Sequence, residues 1–124
     1  MKFPLFLSLC LAIHTPIANA QSVNPFFGTW KAEWQTEKRT EEAHFTLNDK
    51  GGTWKTLAKS KSNPCVGREV GIEIVKSSPD EMTLKLKFSE AITGCTDSTL
   101  HLKRVDDKTI AGRRGKADLK LTRE

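Results

Sequence analysis

Cys65 and Cys95, His44 and His101, the adjacent pair Glu41-Glu42 and the cluster Arg113-Arg114-Lys116 are the residues of this 124-residue chain whose types could do chemistry. A redox pair wants a close Cys-x-x-Cys spacing, and Cys65 and Cys95 are far apart in sequence. In an oxidising compartment they make one structural disulfide, which stabilises a small domain by roughly 3 to 4 kcal/mol in the chain-entropy picture. His44 and His101 each alternate with inward-facing apolar residues and so face outward, on two strands that are not neighbours. Neither lies in a metal-ligand spacing. Glu41 and Glu42 project to opposite faces of a strand start, where they cannot share acid-base work. With no Gly-x-Ser-x-Gly elbow, phosphate loop or Cys-His nucleophile pattern, the sequence predicts no enzyme, no cofactor and no metal.

The basic cluster carries more information because the charge is uneven. The formal net charge is +5. Gln21 to Leu102 holds eleven Lys and Arg against eleven Asp and Glu, whereas Lys103 to Glu124 holds eight against four. The whole excess, apart from Lys2 near the start, therefore falls on the last strands, with Arg113, Arg114 and Lys116 in one hairpin. Such a patch suits an acidic protein, an anionic glycan or lipid head groups. Nucleic acid is disfavoured, because no aromatics interleave with the basic residues to stack bases.

The elements that must position these residues are strands. Phe26-Phe27-Gly28-Thr29-Trp30-Lys31-Ala32-Glu33-Trp34 reads as an opening strand with Trp30, Ala32 and Trp34 on one face. The same period of two recurs at Ala43-Phe45-Leu47, Trp54-Thr56-Ala58, Val70-Ile72-Ile74 and Met82-Leu84-Leu86-Phe88, then around Leu100-Leu102, Ile110 and Leu119-Leu121. Turn residues separate them, as in Asn48-Asp49-Lys50-Gly51-Gly52 and Ser77-Ser78-Pro79-Asp80. No stretch keeps a helical period. Met1 to Ala20 reads as a cleaved secretory signal, with Lys2, an apolar run and small residues at Ala18 and Ala20. Cys10 follows Leu9 rather than the small residue a lipidation site wants, so an ordinary leader is expected. The predicted product is a secreted or periplasmic domain over 21–124, with no apolar run long enough to span a membrane.

Eight short strands joined by mostly short connections predict an all-β, antiparallel up-and-down meander closing into a small barrel, since closure removes exposed edges. In a meander the connections alternate between ends. Thr36 to Thr40, Ser60 to Arg68, Ser89 to Cys95 and the Arg113 to Lys116 hairpin then share one looped end, and the tight turns share the other. That places Cys65 beside Cys95.

The stretch Phe26-Phe27-Gly28-Thr29-Trp30-Lys31 resembles the Gly-x-Trp opening of calycin barrels, the fatty-acid-binding proteins, lipocalins and avidin-type proteins. The resemblance implies that an Arg from the last strand, here Arg123, packs over Trp30 and seals one end. It implies no particular ligand. Fatty-acid-binding proteins need a helical lid after strand one and a ligand-binding Tyr; this chain has no room for the first and no Tyr at all. The polar biotin contacts of avidin-like proteins do not appear in Lys31-Ala32-Glu33. Lysozyme inhibitors on similar eight-stranded frames carry a Ser-Gly-x-x-Tyr motif that this Tyr-free chain cannot contain.

Two functional expectations follow. In the first, the looped end, bearing Trp34, Arg68, Phe88, Arg113, Arg114 and Lys116, binds a partner protein or anionic surface, because loops on a rigid scaffold are where binding residues gather. In the second, the interior carries a small apolar or amphipathic ligand between Trp34, Phe88 and the tied loops, which requires an empty barrel. The many large inward residues favour a packed one.

Overall fold

A computed structural model describes residues 24–57 and 63–124. The expected leader, with Cys10, lies outside the described residues, as do Ala58 and the start of the loop after it. Eight strands, β1 (Gly28–Gln35), β2 (Thr40–Asn48), β3 (Gly51–Thr56), β4 (Glu69–Ser77), β5 (Glu81–Leu86), β6 (Ser98–Arg104), β7 (Ile110–Arg114) and β8 (Ala117–Arg123), follow one another around a closed antiparallel barrel. This is the meander that the period of two predicts. Every seam but one joins strands consecutive in the chain, and the last pairs Trp30–Glu33 of β1 with Arg123–Lys120 of β8.

Alternation decides what lies inside. Trp30, Ala32, Ala43, Phe45, Leu47, Trp54, Val70, Ile72, Met82, Leu84, Leu86, Leu100, Leu102, Leu119 and Leu121 are all buried, while their immediate neighbours in the strands mostly face water. Burying one such large apolar side chain stabilises the fold by about 1.5–3 kcal/mol, so the inner faces dominate its energetics. Along the interior the rings form a column. Trp30 stacks on Phe45 at 6.5 Å, Phe45 on Trp54 at 5.5 Å, and Trp54 meets Trp34 at 6.1 Å with a tilt of 30°.

Two details differ from the sequence expectation. The third strand begins earlier, at Gly51, because the β2–β3 hairpin draws its strands so close that a Cβ on Gly52 would lie 1.8 Å from the Thr46 carbonyl oxygen. Only glycine fits that approach. The fifth strand stops at Leu86, and Phe88 opens a single helical turn, α1 (Phe88–Ala91). Lys87 N–H still donates to Gly71 O, but Ser89 donates from both N–H and hydroxyl to Asp97, which curls the chain away from the ladder. Phe88 nevertheless stays buried in the core.

Candidate functional site

The two ends of the barrel are built differently. At the tight-turn end, Arg123 lies 4.2 Å from the Trp30 ring centroid and donates from Nη1 to Phe27 O at 2.8 Å and from Nη2 to Pro25 O at 2.7 Å. Trp30 Nε1 in turn donates to Phe26 O at 3.0 Å, and Phe26 is buried beneath it. Gly28 has φ +129°, and a Cβ there would meet Arg123 Nη1 at 2.6 Å. The glycine of the Gly-x-Trp opening therefore admits the guanidinium as well as the backbone turn. The Trp30 indole and the Arg123 guanidinium are both used internally, so they close this end.

At the other end Cys65 and Cys95 are bonded, with Cα atoms 5.7 Å apart. The bond ties the loop leading into β4 to the loop leading into β6, and Cys95 itself is buried. Asp97 clamps the same loop from beyond the cysteine by accepting from the Ser89 N–H at 2.9 Å and the Ser89 hydroxyl at 2.7 Å, with Lys85 at 3.6 Å. Those hydrogen bonds, helped by Lys85, hold the Asp97 carboxyl below the usual carboxylate range.

At the same end, beside Phe88 and Ser98 on either side of the β5–β6 loop, lies Arg114. It alternates inward with Ile110 and Gly112, and its guanidinium carbon is 5.9 Å from the Trp34 ring, 5.8 Å from Trp54 and 5.3 Å from Phe88. Its Nε donates to Ser98 Oγ at 2.7 Å, which fixes the plane of the group. No carboxylate among the described residues lies within ion-pair distance of it. Burial pushes its pKa below the ordinary guanidinium value, and nothing acidic offsets the shift. An arginine stays charged even so. The mouth therefore holds one fixed, half-buried positive charge walled by aromatic rings.

The other predicted residues form the rim. Arg68 is exposed just before β4, Lys116 is exposed in the β7–β8 turn, and Arg113 points outward, its Nε donating to Gly115 O at 3.2 Å. Arg113 and Arg114 share a hairpin but lie on opposite faces of it. Glu41 lies on the inward register of β2, opposite Trp34, with only 20% of its side chain exposed and Arg39 Nε 3.0 Å away. Beyond Glu33 the β1–β8 pairing stops, and a groove of about 690 Å³ opens there between Trp34, Gln35 and Thr40 on one side and Lys116 to Lys120 on the other.

Trp54, Ser98 and Glu41 belong to this mouth although no motif marks them. Each is inward by the period of two, and extending that alternation to the polar ends of the strands is the signal that finds them. It also finds Arg114. His44, on β2, hydrogen-bonds Glu42 and pairs with Glu124, whereas His101, on β6, approaches Thr83; the two strands are not adjacent. Among the described residues no three His, Cys, Asp or Glu side chains gather to hold a metal, and none of their helices is long and apolar enough to cross a membrane. No protein-family model, curated protein or solved structure matches this chain, so its site stands on its own geometry.

Proposed function

We propose that this chain is an exported binding protein that engages an anionic partner through its looped end. One observation carries this above the others: Arg114 is held charged and half-buried in an aromatic mouth, with no carboxylate of the described residues within ion-pair distance. A cation so placed costs folding free energy, which a purely structural residue would avoid. Trp34 and Phe88 supply the walls, while Arg68, Arg113 and Lys116 supply a basic rim that steers anions. The disulfide lowers the ordering cost when a partner docks on the loops it joins. Export is supported by that same disulfide and by the leader-like start of the sequence. The Gly28-x-Trp30 opening clasped by Arg123 favours a calycin-type frame. The aromatic column of Trp30, Phe45 and Trp54 fills part of the interior where a carrier would hold its ligand, which favours the looped end over the interior as the binding surface.

The test compares capture of exported proteins by the wild-type domain, by Arg113→Glu/Lys116→Glu at the looped end, and by Lys50→Glu/Lys108→Glu at the tight-turn end. Capture should fall only for the looped-end variant, and should weaken from low salt to about 0.5 M as screening shortens to a few ångströms. Equal capture by all three proteins would retire the proposal.

A further inference from the structure

Arginine carries five N–H donors, and Arg114 spends one of them, from Nε to Ser98. The two terminal amino groups make no hydrogen bond to any described residue. Every fully inaccessible side-chain nitrogen or oxygen among the described residues has a partner, so neither of these amino groups is completely sealed from solvent. The rings of Trp34, Trp54 and Phe88 stand within 6 Å of the guanidinium carbon, and the Ser98 bond anchors the group at Nε. What remains available is an oriented pair of donors.

We propose that the barrel mouth is a socket for a single carboxylate, delivered by an acidic side chain of a partner protein and gripped by the two terminal amino groups of Arg114. This rests on the looped end being the binding surface and names what that surface takes. Two parallel N–H groups match the two oxygens of a planar carboxylate, and a charge-assisted pair of this kind is roughly twice as strong as neutral hydrogen bonds. The socket holds one cation. Glu41, inward on β2, is itself paired with Arg39, so the positive charge that the mouth offers is that of Arg114, which matches the single charge of a carboxylate better than a phosphate dianion or a polysulfated chain. A protein is favoured over a free small acid by the groove beside Trp34. Its volume of about 690 Å³, with Lys116 and Lys120 offset by Glu33 and Asp118 along its walls, leaves room for the backbone that presents the side chain.

The experiment titrates the ¹⁵N-labelled domain, with its disulfide intact, against the blocked peptide acetyl-Gly-Gly-Glu-Gly-Gly-amide, its Gln counterpart, acetate and inorganic phosphate. The Glu peptide should shift the Arg114 Nε–H signal and the Trp34 and Trp54 indole signals saturably, leave Trp30 still, and bind at least about tenfold tighter than the Gln peptide. Acetate should bind more weakly than the Glu peptide, and phosphate more weakly again. Arg114→Lys should abolish the shifts, because an ammonium cannot grip both oxygens in that geometry. Equal shifts with the Gln peptide would overturn the socket, and that arm decides even where the Lys variant fails to fold. Tighter binding of phosphate would assign the mouth to phosphorylated surfaces, and acetate binding as tightly as the peptide would assign it to free acids; either overturns the proposal. If the looped-end charge reversals still abolish capture while the Glu peptide does not bind, the binding surface stands and the socket falls.

Discussion

Removing the Cys65–Cys95 bond should cost more than any single exposed contact in this domain, and the amount follows from the loop it closes. The two residues are separated by 30 positions. A cross-link spanning that length withdraws about 12 cal/mol/K of entropy from the unfolded chain, or about 3.6 kcal/mol at 25 °C. Domains of this size have a total stability of about 5–15 kcal/mol, so the reduced protein should remain folded at room temperature with little to spare. The clean perturbation is reduction of the wild type, which leaves both sulfurs in place and opens no cavity. Urea unfolding of the oxidised and reduced forms should then differ in midpoint by at least about 1 M, given slopes of roughly 1–3 kcal/mol/M. Cys65→Ala/Cys95→Ala should lose somewhat more than the reduced wild type, because Cys95 is only 7% exposed and its sulfur packs in the core. A difference below about 0.5 kcal/mol between the oxidised and reduced forms would refute this reasoning, since it would mean that the unfolded chain already holds the two loops together.

Trp30→Ala should cost about 3–5 kcal/mol in the same assay, as expected for a large buried aromatic, and a loss under about 1 kcal/mol would place the ring outside the core. Gly52→Ala forces a methyl group into the Thr46 carbonyl and should cost at least about 2 kcal/mol; a change within about 0.5 kcal/mol would show that the hairpin can open to admit it. Asp97 has a lowered carboxyl pKa in the folded state, so its contribution is present above the unfolded value of about 3.9 and is lost as pH falls through the folded one. Asp97→Asn should therefore flatten the acid side of the stability curve measured by urea midpoints from about pH 6 to about pH 2, and an unchanged slope would rule that out.

Much of the architecture was legible because burial imposes a strict period on strands. Trp30, Ala32, Phe45 and Leu84 declare their faces by alternation alone, and eight such runs leave closure as the simplest way to hide the edges. The pairing of Cys65 with Cys95 was legible from their being the two cysteines of an expected exported domain, and the meander separately placed them at one end. Phe88 was legible as inward but not as helical, since the turn at α1 depends on the Ser89–Asp97 hydrogen bonds, a contact across the loop that no local pattern encodes. The basic hairpin was visible as composition only. Charge counts do not distinguish Arg113, which faces water, from Arg114, which faces the rings, although the register with Gly112 already separates them.

The closure at Arg123 has a kinetic consequence. Seven seams of the barrel join strands adjacent in the chain and can zip locally, hairpin by hairpin, but the β1–β8 seam must bring together residues as far apart as Trp30 and Arg123. Contacts of such long separation form late, after the loop entropy has been met. Until then β1 and β8 are both open edges, each able to template pairing with another chain, as in a domain-swapped dimer. Arg123 reaches across to Pro25 and Phe27, just ahead of β1, and seats on Trp30. It thus latches the seam from its tight-turn side at the step when the chain is most exposed to its neighbours. The contacts by which Arg123 closes the barrel's end are thus also those that hold its first and last strands together.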